Sequence, residues 1–286
     1  MPQKLKHHTL TGLMVLPLFL YLLAFAAVPL FSCVVLSLTD GASNAFPSLD
    51  NYRVLFRDDQ FGQAFQNTLW LTSLGVSLEV LLGLAVALVL QRLVWGRAFV
   101  RAVVLTPLGL PTVVAGVMFI YLFSSTGYVN EFLYRLGLIS APIDWVYGGW
   151  RSLGVLLMAE LWKVTPVVAF ILLAGLESIP ETVYEAAAVD GAGAWRQFWH
   201  VTLPLLRPSL LMAVVVRAID AFRVFELPLI LTGKSFPVLG TLAYSEYYEY
   251  DNPFTSAAAA TVLLAIIAAC IGGYLFLMTR RPMEGA

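Results

Sequence analysis

Six apolar stretches, each longer than twenty residues, constrain this 286-residue chain more than any other feature. They cover about residues 11–38, 67–90, 99–123, 153–176, 206–232 and 257–279, and are rich in Leu, Val, Ala and Phe. A helix needs about 20 apolar residues to cross a bilayer core. In hydrocarbon every backbone group must find its partner inside the segment, which selects helices. A transmembrane barrel would show alternating segments of about ten residues, whereas these runs are continuous. Apolar residues make up 59% of the chain and charged residues 12%, against about 25% charged in a soluble domain. So much apolar surface cannot be hidden in one core and must face lipid. The expected fold is an all-α membrane protein with six transmembrane helices.

The first stretch follows Lys4 and Lys6, as a signal peptide would. It is longer than the ~7–15 apolar residues of such a signal and ends in no clear small-residue cleavage site, so it is expected to remain as an uncleaved span. Lys and Arg in short loops set orientation. With the N-terminus inside, nine basic residues fall inside (Lys4, Lys6, Arg92, Arg97, Arg101, Arg196, Arg207, Arg280, Arg281) and five outside (Arg53, Arg57, Arg135, Arg151, Lys234). Both termini are therefore expected in the cytoplasm. The outer loops, about 39–66, 124–152 and 233–256, are acidic and aromatic. Their aromatics, such as Trp145, Trp150, Tyr244 and Tyr248, suit either an interfacial belt or a docked partner. Cys33 and Cys270 lie far apart in apolar runs and read as small buried hydrophobes, with no metal or disulfide pattern. His7, His8 and His200 have no acidic neighbours in metal-ligand spacing. A net charge of −1 offers nothing to nucleic acid.

The loop before the fifth stretch, from Glu177 to Pro208, is the most informative. Ser178 and Glu181 have capping-box spacing, Pro180 suits a first turn, and a helix runs through Glu185-Ala186-Ala187-Ala188. Gly191 can supply the left-handed residue just past its end. A second short helix, from about Gly193 to His200, follows, and Pro204 and Pro208 punctuate the start of span five. The result is a helix-turn-helix on the cytoplasmic face, whose alanines let another surface approach. A lipid-lying amphipathic helix is the alternative, but Glu177, Glu181, Glu185 and Asp190 would be repelled by anionic lipid.

Glu185-Ala186-Ala187, Asp190-Gly191-Ala192, Phe198, Leu203-Pro204 and Pro208 together resemble the EAA loop of binding-protein-dependent ABC importer permeases. The resemblance extends over nearly the whole chain and is nearest to MalF-like sugar permeases of the trehalose/maltose type. Asn51-Tyr52 and Phe65-Gln66-Asn67-Thr68 resemble the lead into span two, Glu160-Leu161-Trp162-Lys163 with Pro166 resembles span four, and Asp220 to Glu226 followed by Leu231-Thr232-Gly233 resembles span five. Two departures fall near the outer end of the pathway. Gly233-Lys234-Ser235 stands where Gly-Gly-Pro is common, and Phe119 stands where Trp is common. The resemblance implies a type I ABC importer permease fold with a cytoplasmic coupling helix between spans four and five. It divides the chain into an N-terminal span and first loop (1–64), a permease core (65–277) and a cytoplasmic tail (278–286). It further implies a second permease subunit, two copies of an ABC ATPase, which hold the ATP and Mg, and an extracytoplasmic sugar-binding protein. No cofactor or metal is expected on this chain.

A charge at bilayer depth costs at least ~2.5 kcal/mol and is usually paired or functional. Such charges here are Glu79, Glu160, Lys163, Arg217, Asp220, Arg223 and Glu226. Residues three apart on a helix are neighbours, so Glu160 can pair with Lys163, and Asp220 with Arg223. With Phe222 and Tyr121, which could cover the apolar face of a sugar, Asp220, Arg223, Glu226, Glu160 and Lys163 are the candidates for a cargo pathway; structural pairing remains open for them. Glycerol 3-phosphate or another polyol is the alternative cargo. A membrane-embedded hydrolase or transferase lacks its motifs: no span holds a His, and neither Gly-x-Ser-x-Gly nor His-Glu-x-x-His occurs. An ion-coupled carrier would leave the Glu185–Pro208 loop unexplained. No Gly-x4-Gly-Lys-Ser/Thr phosphate loop is present, so the chain is expected to hydrolyse no ATP.

Overall fold

The computed structural model describes residues 14–279. Residues 11–13 of the first stretch, Lys4, Lys6, His7, His8, Arg280, Arg281 and tail residues 280–286 lie outside the described residues. Among the described residues, six helical stretches are long and apolar enough to cross a membrane: Met14–Ser37, Asp59–Arg92, Thr112–Arg135, Gly149–Glu177, Ala194–Phe222 and Pro253–Gly273. In chain order the helices are α1 (Met14–Ser37), α2 (Asp50–Arg57), α3 (Asp59–Arg92), α4 (Arg97–Leu105), α5 (Thr112–Phe123), α6 (Tyr128–Arg135), α7 (Gly149–Glu177), α8 (Glu181–Val189), α9 (Ala194–Phe222), α10 (Glu226–Leu231), α11 (Leu239–Tyr248) and α12 (Pro253–Thr279). No strand occurs among the described residues.

Two compact units are present. One holds the described residues up to Phe61 together with Leu242–Leu264; the other holds Gly62–Thr241 and the described residues from Ala265 on. In the first unit, the buried Asn51 side chain donates to the carbonyls of Ser37 (2.9 Å) and Thr39 (2.8 Å), satisfying oxygens that the end of α1 leaves open. Tyr52 adds a hydroxyl contact to Ser37 at 2.8 Å. α1 exposes nearly all its apolar surface, from Met14 to Phe31, as a lipid solvent permits. Cys33 is only half-buried and Cys270 is exposed, so the expectation of two buried cysteines is corrected: an apolar run bordered by lipid does not require burial in protein.

The second unit carries two apolar clusters. Leu71, Phe119, Leu153, Leu156, Leu227 and Val238 belong to one. Leu90, Leu172, Leu176 and Leu206 belong to the other. Asn67 donates to the Pro237 carbonyl (2.8 Å) and the Thr68 hydroxyl accepts the Leu239 amide (2.9 Å), so the residues leading into span two hold the backbone ahead of α11. Asn130, also buried, bonds the carbonyls of Ser124, Ser125 and Ile143, the Ile143 amide and the Trp145 indole, organising the turn around α6.

Three boundaries differ from the sequence expectation, each at proline. The third stretch is not one helix over 99–123. α4 gives way to a 3₁₀ turn at Thr106–Gly109 and α5 restarts at Thr112, because the ring of Pro111 would meet the carbonyl of Pro107, four residues back. The fifth stretch does not continue to 232: α9 stops at Phe222 and α10 begins at Glu226, ahead of Pro228, whose ring would clash with the Val224 carbonyl. Conversely, no break separates a second loop helix from span five. α9 runs from Ala194 through Pro204 and Pro208, with a π turn at Phe198–Thr202 closed by the Leu203 amide on the Phe198 carbonyl. The wider turn takes up the proline within a continuous helix.

Candidate functional site

Two regions of the second unit gather the residues singled out by the sequence. The first is the hairpin between spans four and five. α8 starts after Pro180 with no side-chain cap. Ser178 instead donates to the Gly175 carbonyl at 2.7 Å, so it closes the preceding helix and the expected capping box is not formed. Gly191 adopts φ +78°. Its amide donates to the Ala188 carbonyl (3.0 Å) and that of Ala192 to the Ala187 carbonyl (2.9 Å), the paired bonds of a Schellman end. Gln197 returns to the Ala192 carbonyl (2.9 Å), and the hydroxyls of Tyr184 and Thr202 meet at 3.2 Å, so the two arms are tied. Glu185, Ala186, Asp190, Gly191, Val189 and Trp195 are exposed, Ala187 and Ala192 half-buried. Phe198 packs against Trp195 and Trp199; Leu203 is half-buried and Pro204 exposed. The stem is held too: Glu177, the last residue of α7, accepts from Arg97 and Arg101 (2.5 Å to the latter), one turn apart on α4.

The second region is a buried charge cluster joining α3, α7 and α9. Arg217 donates through Nε to Glu79 Oε2 (2.7 Å) and through NH2 to Glu79 Oε1 (3.2 Å), a bidentate pair. Asp220 Oδ2 lies 3.4 Å from Arg217 NH1 and Glu160 Oε2 lies 3.9 Å from NH2. The expected local pairs are not made. Lys163 makes no ion pair with Glu160 and donates to the Leu110 carbonyl at 2.8 Å, which the break before α5 leaves open. Arg223 caps α9 and is exposed, and none of the ion pairs among the described residues includes it. Glu226 is exposed at the start of α10, Phe222 is buried, and Tyr121 is exposed on α5. The geometry therefore brings Glu160 and Asp220 to Arg217, and among the described residues no ion pair joins Lys163, Arg223 or Glu226 to that cluster. Local helical spacing does not single out Glu79 and Arg217 for the candidate pathway. The available signal was that Glu79 has no basic residue three or four positions away on its helix, so a partner had to come from another span.

The six-span helical fold defines a class, and comparison with known proteins identifies it. Residues 79–279 match the family described as binding-protein-dependent transport system inner membrane component, and the chain belongs to that family. It is 34% identical over 273 residues to the trehalose transport system permease protein SugA of Mycobacterium tuberculosis (strain ATCC 25618 / H37Rv), covering 93% of this chain and 87% of the relative. It is 33% identical to the trehalose/maltose transport system permease protein MalF of Thermococcus litoralis, covering 92% of each. Among solved structures, a chain of a bacterial alginate ABC transporter, crystallised with a periplasmic protein holding an alginate pentasaccharide, superposes with TM-score 0.86 at 23% identity, over 97% of this chain and 96% of that one. The six-span, all-helical fold is that of an ABC importer permease.

Proposed function

We propose that this chain imports a neutral sugar of the trehalose or maltose type across a bacterial inner membrane, as one permease of a heterodimer driven by two ABC ATPases and fed by an extracytoplasmic sugar-binding protein. The observation that carries the coupling part is the α8 hairpin. It presents Glu185, Ala186 and Gly191 outward on a frame tied by Gly191, Tyr184–Thr202 and Glu177. A small-residue surface with an acidic edge is suited to insertion into a groove of another protein, and its charge disfavours an anionic lipid bed. The excess of Lys and Arg in the inner loops supports a cytoplasmic hairpin and cytoplasmic termini. The cargo class follows the trehalose and maltose relatives. In this mechanism the loaded binding protein docks outside, ATP closes the ATPase dimer, the hairpins transmit that closure, and the spans open outward. Hydrolysis then resets them inward. ATP and Mg stay with the partner subunits, and this chain supplies Glu185, Ala186, Ala187, Asp190, Gly191, Ala192, Phe198, Leu203 and Pro204 to the coupling element.

The test is to purify the chain with its partner subunits in proteoliposomes and measure ATPase activity stimulated by trehalose-loaded binding protein. Glu185→Lys is expected to lower stimulated activity at least ~10-fold, a loss of about 1.4 kcal/mol or more in coupling, and to weaken co-purification of the ATPase. Wild-type stimulation and co-purification in that variant would remove the hairpin from the docking role.

A further inference from the structure

Burial in the charge cluster is graded. The side chains of Glu79 and Arg217 are 1% and 4% exposed, Glu160 is 14% exposed and Asp220 is 54% exposed. The closed end is therefore the bidentate Glu79–Arg217 pair, and the open end is the Asp220 carboxylate. Arg217 is planar and offers five N–H donors in a rigid fork. Two of them are consumed by Glu79, which fixes the guanidinium plane. That plane directs NH1 to Asp220, three residues along the same helix, and sets NH2 facing Glu160 from α7. Three carboxylates from three helices thus lie within 4 Å of one cation, and the nearby Lys163 ammonium is engaged by the Leu110 carbonyl. Ionised carboxylates only accept hydrogen bonds, so a ligand at the open end must bring donors. The guanidinium offers an anionic ligand little, because two of its donors are held by Glu79.

We propose that Arg217, anchored by Glu79, is a positioning residue that presents the Asp220 carboxylate, with Glu160 behind it, as a hydroxyl-accepting wall for neutral, polyhydroxylated cargo. This rests on the import reading above and assigns the recognition of the sugar's hydroxyl groups to the Asp220 end of the cluster. Arg217 does not touch the cargo; it acts through Asp220.

The experiment uses the complete assembly in proteoliposomes and reads radiolabelled trehalose moved per ATP hydrolysed, a ratio that a purely structural loss of assemblies does not change. Asp220→Asn is expected to lower the ratio about 10-fold. Arg217→Lys, which keeps the charge and loses the fork, is expected to lower it about 5-fold. The double variant should be no lower than Asp220→Asn alone, because one effect passes through the other. If Arg217→Lys assembles poorly, Glu79→Gln, which loosens the anchor and keeps the guanidinium, should lower the ratio in the same direction. An unchanged ratio in either anchor variant, or effects of Arg217→Lys and Asp220→Asn that multiply, overturns the positioning role. Uptake of glycerol 3-phosphate by the wild type as fast as trehalose overturns the neutral-cargo assignment. A wild-type assembly that moves no sugar overturns the import reading itself.

Discussion

The buried cluster around Arg217 and the exposed hairpin around Gly191 lie in one compact unit and handle charge in opposite ways. In the cluster, a guanidinium and a carboxylate from residues 138 positions apart exclude solvent almost fully and satisfy each other through two bonds. In the hairpin, Glu181, Glu185 and Asp190 face outward, and the shape is held by backbone bonds at the turn and by the short side-chain ties of Gln197 and Tyr184 between its arms. A buried charge is tolerated only when paired, so Glu79 and Arg217 are committed to each other. An exposed charge in high dielectric contributes little to the fold, so the hairpin's acids remain free to meet another protein. The difference teaches where stability and recognition are separated: substitutions in the cluster should be felt first by the fold, those at the hairpin by its partner.

The largest expected effect tests the commitment of the cluster. Arg217→Ala leaves Glu79 buried without a cation and should destabilise the chain by about 3–5 kcal/mol, read as a fall in melting temperature and in the monodisperse fraction on gel filtration in detergent. Replacing both partners with apolar residues (Arg217→Met with Glu79→Leu) should recover most of that loss. A double variant as unstable as Arg217→Ala would mean that the pair is not the source of the cost.

A smaller effect is expected at Gly191. Alanine there must hold φ +78°, at a cost of about 1–2 kcal/mol, while no neighbouring atom lies within 4 Å of the added Cβ. Gly191→Ala should therefore lower the melting temperature modestly and lower binding-protein-stimulated ATPase activity by more than its stability change explains. A drop in melting temperature as large as that of Arg217→Ala would erase the contrast between the two regions.

The smallest effect belongs to the stem. Glu177 and its two arginines are roughly 30–40% exposed, and exposed ion pairs are worth about 0–1 kcal/mol. Glu177→Gln should leave the melting temperature nearly unchanged at physiological salt. A loss near that of the buried pair would show that the stem is shielded like the cluster.

How much of this was legible in the residues follows the same divide. The hairpin's end at Gly191 was readable because a helix stop depends on a few consecutive residues, and glycine occupies the left-handed region at no steric cost. The capping role of Ser178 was misassigned for a comparable reason: its hydroxyl had two helix ends within reach, and spacing does not choose between the Gly175 carbonyl and the start of α8. Pro107, Pro111 and Pro228 carried the breaks in spans three and five, yet hydropathy averaged over twenty residues passes through them. Pro204 and Pro208 pointed to a break that a π turn at Phe198–Thr202 absorbs.

Six apolar runs, their helical form and the presence of an outward-turning hairpin were set by composition and local covalent geometry, since a bilayer imposes span length and backbone satisfaction on any chain. The partner of Arg217 was decided by three-dimensional packing. Glu160–Lys163 and Asp220–Arg223 were the pairs that helical spacing allowed, but Lys163 met the open carbonyl of Leu110 and the helix carrying Asp220 ended before Arg223. With those neighbours withdrawn, α3 and α9 brought Glu79 to Arg217, and burial then made that contact the one a charge at such depth requires.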